Sequence, residues 1–141
     1  MKSRSERTFP QGFDRLYGLD LVELGDGVAR GRVQVRDELK QPMGLVHGGV
    51  YAAIAESLAS IGTAVAVAEQ GKMAMGLSNQ TSFLRPITEG MIEAVATARH
   101  RGRTTWVWEV EMSDQHGRLC VLTRMTIAVR ELDSPPPTPP G

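Results

Sequence analysis

Residues 44–71 read GLVHGGVYAAIAESLASIGTAVAVAEQG, and this stretch decides the fold. Over residues 48–70, large apolar side chains recur at three- and four-residue spacing, and Gly71 supplies a stop signal. The recurring positions are Val50, Ile54, Leu58, Ile61 and Val65. The other faces carry small residues, Tyr51 and one mid-helix carboxylate, Glu56. The sequence therefore predicts a long helix that the rest of its domain covers on most sides.

The same stretch is long enough to cross a membrane, but His47 and Glu56 argue against a lipid environment. The chain has 141 residues, which suits one domain, and its sixteen basic and sixteen acidic residues cancel. This balance argues against a general nucleic-acid binder and leaves room for a local basic patch. Because only one cysteine is present, Cys120, and the start has no signal-peptide pattern, we expect a cytoplasmic protein.

Five segments outside the helix have the two-residue alternation of strands. They are residues 29–36 before the helix and residues 73–83, 92–98, 105–112 and 119–129 after it. In the second segment, alternation predicts one shared face for Met73, Met75, Leu77, Asn79, Thr81 and Phe83. Short turns join the last four segments, which favours an antiparallel sheet curled round the helix in an α+β fold.

The composition changes at both ends of the chain. We predict a flexible N-terminal arm at residues 1–12, one domain at residues 13–131, and a disordered tail at residues 132–141. The tail is rich in proline, which favours an extended and stiff chain outside the core.

Polar residues suited to one kind of chemistry converge at the start of the predicted helix. They are Gln41 on the entering loop, His47 followed by Gly48 and Gly49, and Glu56 with Ser60 one turn later. The first amides of a helix lack internal partners and carry the positive end of its dipole, so they stabilise a carbonyl oxygen that gains negative charge. A carboxylate that attacks this carbonyl, or activates water to do so, performs acyl transfer.

The spacing of these residues bears on how such a site is assembled. Glu56 follows His47 by nine residues, so at about 1.5 Å per residue the two lie more than about 10 Å apart along one helix. A two-fold interface brings different residues of the same patch together. We therefore predict a homodimer in which the loop of one subunit faces the carboxylate of the other.

Each of these residues also has a structural explanation. Glu56 could pair with an arginine, and His47 could cap the loop by hydrogen bonds. Gly48 and Gly49 could allow close packing, and Ser60 could bond a helix carbonyl. The three histidines are scattered and the cysteine is alone, so the sequence predicts no metal site.

The segments GLVHGGVYAAIAESLAS, GLSNQTSFLRPITEG, RTTWVWEV and GRLCVLTRMTIAV resemble hotdog-fold acyl-CoA thioesterases of the phenylacetate-degradation type. The chain looks closest to the helix-carboxylate class of 4-hydroxybenzoyl-CoA thioesterases, over residues 41–130. The resemblance implies one long central helix wrapped by a curled antiparallel sheet of five or six strands. It also implies homodimers, commonly paired into homotetramers, with active sites between subunits. The substrate would be an acyl-CoA, with no separate cofactor.

The resemblance also implies a role for each matching residue. Glu56 matches the catalytic carboxylate, as nucleophile or general base, and the Gly48 amide matches the group that polarises the thioester carbonyl. Gln41 and His47 match residues that orient the loop and the carbonyl, and Ser60 matches a hydroxyl that holds water. Arg85, Arg103 and Thr104 match contacts to the nucleotide and phosphates of CoA. Arginine suits phosphate because it binds in a bidentate manner. Each of the two arginines could instead be a solvated charge at a strand end, an explanation that is about equally good for Arg103.

Two departures from that class bear on the substrate. Ile61 stands where the 4-hydroxybenzoyl enzymes carry an acidic residue near the acyl pocket, which argues against a phenolic acyl group. Glu131 and Asp133 replace a basic end of the last strand, so CoA phosphates would be held differently. We expect hydrolysis of an aromatic or medium-chain acyl-CoA. The alternatives are an enoyl-CoA hydratase or dehydratase of the same fold and a non-catalytic acyl-CoA-binding protein.

Overall fold

The computed structural model describes residues 10–132, so the predicted arm and tail lie outside the described residues, except for residues 10–12 and 132. Two helices and six strands follow one another along the described chain. They are α1 (Phe13–Tyr17), β1 (Asp20–Gly25), β2 (Val28–Gln34), α2 (Gly48–Val67), β3 (Lys72–Phe83), β4 (Met91–Arg101), β5 (Thr105–Ser113) and β6 (Leu119–Glu131). Short 3-10 turns at Asp37–Leu39 and Ala68–Gln70 complete the connections.

The six strands form one antiparallel sheet in the order β1-β2-β4-β5-β6-β3. Helix α2 contacts every strand from β2 to β6, so the sheet curls round it. This confirms the predicted α+β fold of one long helix wrapped by an antiparallel sheet. Strands β1 and β3 lie at the two edges of the sheet, and each therefore has one side without a neighbour.

The core lies between α2 and the centre of the sheet. Strand β5 alternates as predicted, with Trp106, Trp108, Val110 and Met112 buried. The indole nitrogen of Trp108 donates a hydrogen bond to Thr63 Oγ1 at 2.8 Å, and Thr63 donates to the Ala59 carbonyl at 2.8 Å. The Trp108 ring also lies against Gly62, where a Cβ would come within 2.6 Å of it. The helix is therefore tied to the sheet by both packing and a buried hydrogen bond.

The buried face of α2 differs from the predicted stripe. Ile54, Leu58 and Ile61 are buried as expected, but Val65 is 48% exposed and Glu56 is exposed. Small residues complete the buried face, at Ala55, Ala59, Gly62 and Thr63, together with Tyr51. The α-helix ends at Val67, and a 3-10 turn continues to Gln70. The helix is long and apolar enough to cross a membrane, yet 56% of its most apolar window is buried inside the protein.

Strand β1 was not predicted. Its side chains alternate poorly between exposed and half-buried, and its pairing with β2 shifts register between Leu21 and Glu23. An irregular edge strand lacks the two-residue period on which prediction depends.

The predicted common face of β3 is wrong because the strand contains a bulge. Its pairing with β6 shifts register between Gly76 and Ser78. Before the bulge, Ala74 packs on the core and Gly76 faces α2, so the neighbouring Met73 and Met75 point away. After the bulge, the alternation is inverted and the helix side is taken by Asn79, Thr81 and Phe83. One extra residue thus exchanges the two faces of the strand.

Candidate active site

The loop that enters α2 is fixed by its own hydrogen bonds. The Gln41 amide donates to the Leu45 carbonyl at 2.8 Å, and the Gly44 amide donates to the Gln41 carbonyl at 2.9 Å. The side-chain oxygen of Gln41 accepts a hydrogen bond from the Met43 amide. Because that oxygen is occupied, the side-chain NH₂ of Gln41 is the end left to donate to a ligand.

His47 caps the N-terminus of α2, as the structural explanation predicted. Its Nδ1 accepts a hydrogen bond from the Gly49 amide at 2.8 Å, and its backbone amide donates to the Leu39 carbonyl at 2.8 Å. An accepting Nδ1 means that the neutral ring carries its proton on Nε2. His47 therefore has one ring nitrogen committed to the fold and one N–H free to donate.

Gly48 is the first residue of α2, and its amide makes no hydrogen bond within the described residues. The Phe83 ring lies against it, at 2.9 Å from the place a Cβ would take. Close packing therefore explains why glycine is required here. It does not compete with the chemical role, because the free amide of a first helical residue still attracts negative charge.

A cavity of about 410 Å³ opens beside Gly48. Gln41, Gly48 and Arg85 line it, together with Tyr51 and Phe83. Arg85 is exposed and makes no ion pair within the described residues. We call this space the Gly48 cavity. It brings together three of the predicted site residues.

A second cavity, of about 590 Å³, lies on the other side of the helix start, between α2 and α1. His47 and Gly49 line it, with Phe13 and Leu16 of α1. Helix α1 is tied to α2 through Asp14, whose Oδ1 accepts hydrogen bonds from Tyr17 at 2.7 Å and Ser57 at 2.5 Å. Burial, and then the hydrogen bond to Asp14, raise the pKa of Tyr17 well above its ordinary value, so its hydroxyl remains a donor.

Glu56 lies in the middle of α2, away from both cavities. Its carboxylate makes no ion pair within residues 10–132, so the arginine partner that would explain it structurally is not found there. It lies beside Gly76 of β3, with Oε1 at 3.1 Å from the position of a Cβ on that glycine. Ser60, one turn later, is half-buried. The carboxylate is thus free at the edge of the sheet.

Arg103 and Thr104 lie far from the Gly48 cavity in one chain. They belong to the turn between β4 and β5, where the Thr104 carbonyl accepts a hydrogen bond from the Val129 amide at 2.9 Å. Thr105, which follows that turn, and Met75 of β3 both pair with Ala128 of β6, so the turn lies at the same height in the sheet as Met75. Phe83, followed by Arg85, lies at the other end of β3. Seven residues separate Gly76 from Phe83, which at strand rise is about 23 Å. One chain therefore does not assemble the predicted site.

Three residues beside the site were not predicted from the sequence. Gly76 leaves room for the Glu56 carboxylate, and its signal was a glycine inside a strand, which often marks a bulge or a close approach. Phe83 covers Gly48, and Tyr51 lines the Gly48 cavity. No local pattern marks these two, because their roles depend on which elements meet. Within residues 10–132, no group of three His, Cys, Asp or Glu residues could hold a metal ion.

Comparison with known proteins identifies the family and the fold. The model of the Thioesterase superfamily matches residues 43–121. The chain is 34% identical to 1,4-dihydroxy-2-naphthoyl-CoA hydrolase of Listeria monocytogenes over 85% of this chain and 97% of the relative. The crystal structure of a thioesterase from Haemophilus influenzae superposes with a TM-score of 0.81 at 30% identity, covering 86% of this chain and 84% of that one.

The chain belongs to the thioesterase superfamily, and it is a thioester hydrolase with the hotdog fold. The PaaI protein of the phenylacetic acid degradation operon of E. coli has the same fold, with a TM-score of 0.74, 24% identity, and coverage of 82% of this chain and 81% of that one. At that identity the likeness concerns the fold alone. The closer kinship to 4-hydroxybenzoyl-CoA thioesterases, the tetramer and the cytoplasmic location stay predictions.

Proposed function

We propose that this protein hydrolyses an aromatic or medium-chain acyl-CoA to the free acid and CoA, at a site shared by two copies of the chain. The observation that carries the proposal is the Glu56 carboxylate. It has no ion pair within the described residues and lies beside Gly76 on an edge strand. The Gly48 amide on the same helix likewise makes no hydrogen bond within the described residues.

The proposed chemistry follows from these two groups. The Gly48 amide, at the positive end of the helix dipole, donates to the thioester oxygen and stabilises the negative charge that forms on it. Glu56 either attacks the carbonyl carbon or takes a proton from the water that does so. In both routes the C–S bond breaks and CoA leaves as a thiolate that takes up a proton. Direct attack leaves an anhydride on Glu56, which water then hydrolyses to the free acid and the carboxylate. Ser60, one turn from Glu56, holds that water. The free N–H groups of Gln41 and His47 keep the loop and the carbonyl in position.

Pairing of two β3 strands explains how Gly48 and Glu56 meet. Strand β3 is twelve residues long, lies at the sheet edge, and exposes apolar residues including Met75 and Leu77. Such an edge is a template for another strand. In an antiparallel two-fold pair, the Phe83 end of one strand lies beside the Gly76 end of its copy. Gly48 of one chain then approaches Glu56 of the other.

The same pairing suits the proposed contacts to CoA. Arg85 follows the Phe83 end of β3, whereas Arg103 and Thr104 are level with Met75 near its other end. A two-fold pair therefore brings Arg85 of one chain and the Arg103–Thr104 turn of the other to the same end of the double sheet. Two guanidinium groups without an ion pair in the described part of the chain suit the phosphates of CoA.

The acyl group is inferred from the relatives and from one position in the helix. The Listeria relative is named for the hydrolysis of 1,4-dihydroxy-2-naphthoyl-CoA, whose acyl group is aromatic. Ile61 is apolar and 5% exposed, so it offers nothing to a phenolic hydroxyl. From the dihydroxylated acyl group of that relative we therefore carry over the aromatic ring and not its hydroxyls. CoA is part of the substrate, and no cofactor is proposed.

The test is release of free thiol from a panel of aryl, medium-chain and enoyl acyl-CoAs. Glu56→Gln should lower kcat about 10²–10⁴-fold, because it removes the nucleophile or base and keeps the shape. Glu69→Gln, in an exposed glutamate beyond the helix end, is the control and should leave kcat unchanged. Equal rates for Glu56→Gln and the parent would refute the role of Glu56. Hydration of the enoyl-CoA without thiol release would instead identify a hydratase.

A further inference from the structure

Successive turns of helix α2 contact the edge strand β3. Gly48 and Glu56, which are eight residues apart on the helix, each lie against this strand. Between them, Asn79 Nδ2 of β3 donates a hydrogen bond to the Ala52 carbonyl at 2.9 Å. The two groups that the proposed chemistry needs are therefore separated by one side-chain bond from the strand to the helix.

The helix does not need this bond to satisfy the Ala52 carbonyl. Within an α-helix each amide donates to the carbonyl four residues earlier, so the Glu56 amide already donates to Ala52. Asn79 uses the second lone pair of the same oxygen. Because Asn79 is exposed, its bond replaces a bond to water and adds little to stability. The main consequence of the bond is that it fixes β3 against the turn of α2 that leads to Glu56.

The Asn79 side chain is itself held in one orientation. A carbonyl only accepts, so the NH₂ of Asn79 faces Ala52, and its oxygen accepts a hydrogen bond from Thr81 Oγ1 at 2.7 Å. Thr81 Oγ1 lies 3.0 Å from Thr123 Oγ1 of β6, which is 1% exposed. Because the single proton of Thr81 is used on Asn79, Thr123 is the donor in this pair. Three hydrogen bonds thus connect the buried Thr123 to the helix.

The bulge in β3 allows both contacts with α2. In a regular strand, Gly76 and Asn79 would point to opposite faces, because three residues separate them. The register shift between Gly76 and Ser78 brings both to the helix side. Gly76 leaves room for the Glu56 carboxylate, and Asn79 holds the helical turn before it.

We propose that Asn79 is a positioning residue for Glu56. This inference rests on the proposed function, in which Glu56 acts on a thioester bound at Gly48 of the other chain. There, pairing of the two β3 strands sets where the chains meet, and Asn79 fixes each helix against its own β3. Asn79 thus sets the distance between the carboxylate and the thioester carbonyl without touching the substrate. A displacement of about 1 Å at such a site costs up to about 10²-fold in rate.

The first test is the nearly isosteric Asn79→Leu, which removes the donor to Ala52. It should lower kcat about ten- to hundredfold and change KM less than about threefold, because the carboxylate is displaced and the CoA contacts remain. Gln80→Leu is the matched control. It removes the amide side chain of the next residue, which accepts a hydrogen bond from Arg124 on the other face of the strand, and it should leave kcat unchanged. A parent-like kcat for Asn79→Leu, or an equal loss in Gln80→Leu, would overturn the proposal.

A double-mutant cycle tests whether Asn79 acts through Glu56. In the Glu56→Gln background, Asn79→Leu should lower kcat by less than about a further twofold, since no carboxylate is left to position. A further loss as large as that in the parent would show that Asn79 acts independently of Glu56, and the proposal would be wrong.

Thr81→Val separates positioning from a general loss of stability. It breaks the bonds to Asn79 and Thr123 but keeps the bond from Asn79 to Ala52. Its melting temperature should fall at least as far as that of Asn79→Leu, because the buried Thr123 hydroxyl loses this partner. Its kcat should nevertheless fall less than about threefold, since the helix is still held. If kcat followed melting temperature across the two variants, stability and not position would be the cause.

The rate of Glu56→Gln separates this inference from the proposed function. If Glu56→Gln is impaired and Asn79→Leu is not, the role of Asn79 is refuted and the proposed function stands. If Glu56→Gln keeps the rate of the parent, the proposed function fails, and a role of Asn79 through Glu56 fails with it.

Discussion

Strands β5 and β3 belong to the same sheet but differ in how far they are buried. Strand β5 lies at the centre, and its Trp106, Trp108, Val110 and Met112 are all buried against α2. Strand β3 lies at the edge and is exposed along most of its length, with Met75 52% and Phe83 60% exposed. This difference indicates that one chain is enough to bury the core around β5. It also indicates that one chain does not bring all the predicted site residues together beside β3.

Helix α2 shows the same division. The side toward β5 is closed by the bond between Trp108 and Thr63 and by the contact of Trp108 with Gly62. The side toward β3 carries Glu56, and Asn79 of that strand donates a hydrogen bond to the Ala52 carbonyl at 2.9 Å. Substitutions on the first side should therefore change stability, and substitutions on the second side should change activity.

Mixed dimers give the largest expected effect and test whether the β3 side is shared between chains. Glu56→Gln and Gln41→Ala should each be poorly active alone, since each homodimer lacks the same group in both sites. Coexpression should restore activity, because one of the two sites in each mixed dimer then contains both native residues. Thiol release is measured on purified mixed dimers that carry two different tags.

The control for this experiment mixes Glu56→Gln with Ser60→Ala. Both residues come from the same helix, so no mixed dimer rebuilds a site that contains both native residues. No restoration with Gln41→Ala would mean that each site is made by one chain. Restoration in this control would mean that recovered activity does not report a rebuilt site, and the test would then fail to support a shared site.

The same substitution in the two regions sharpens the comparison further. Gly62→Ala should lower the free energy of unfolding by about 2 kcal/mol, because a Cβ would come within 2.6 Å of the Trp108 ring, which is fully buried. Gly76→Ala should leave stability nearly unchanged and lower kcat/KM about tenfold, since its Cβ would crowd the movable Glu56 carboxylate at 3.1 Å. Urea unfolding and thiol release are measured on both variants. If Gly62→Ala lowered only activity, or Gly76→Ala lowered only stability, the proposed difference between the two sides of α2 would be wrong.

The smallest effect concerns the β5–β6 turn, which belongs to the fold and not to the site. Burial would raise the pKa of Asp114, but hydrogen bonds from the Arg118 amide and side chain and the His116 amide outweigh it and lower the pKa from 3.8 to about 2. A lowered pKa stabilises the folded state fully above the unfolded value and loses that contribution as pH falls. Asp114→Asn should therefore be less stable than the parent at pH 7, and the gap should shrink between about pH 4 and pH 2. Urea unfolding across that range is the measurement, and a constant gap would contradict it.

The parts that sequence predicted are those with a regular period. The alternation in β5 identified Trp106, Trp108, Val110 and Met112 as one face, because every second residue from Trp106 to Met112 is buried. Prediction failed where the period is broken, at the irregular β1 and at the bulge in β3. It also misplaced part of the buried stripe of α2, because small residues (Ala, Gly and Thr) let the sheet pack closely against that side of the helix.

The candidate site was predicted in part for a similar reason. Gln41, His47 and Gly48 are close in sequence, so their place at the helix start was visible. The exposure of Glu56 could not be predicted from the sequence, because it depends on β3 being an edge strand. The bond from Asn79 to Ala52 could not be predicted either, since it depends on the bulge in β3 and joins segments far apart in sequence.

The bulge in β3 determines which residues of the strand face helix α2. Before the bulge, Met73 and Met75 point away from α2 and the even-numbered residues face it. After the bulge, the odd-numbered residues face the helix. Loss of the single extra residue would turn Met73 and Met75 toward α2 and expel Ala74 and Gly76 from its side. The length of this edge strand is therefore constrained to the residue, because one insertion or deletion there would change which side chains lie beside the Glu56 carboxylate.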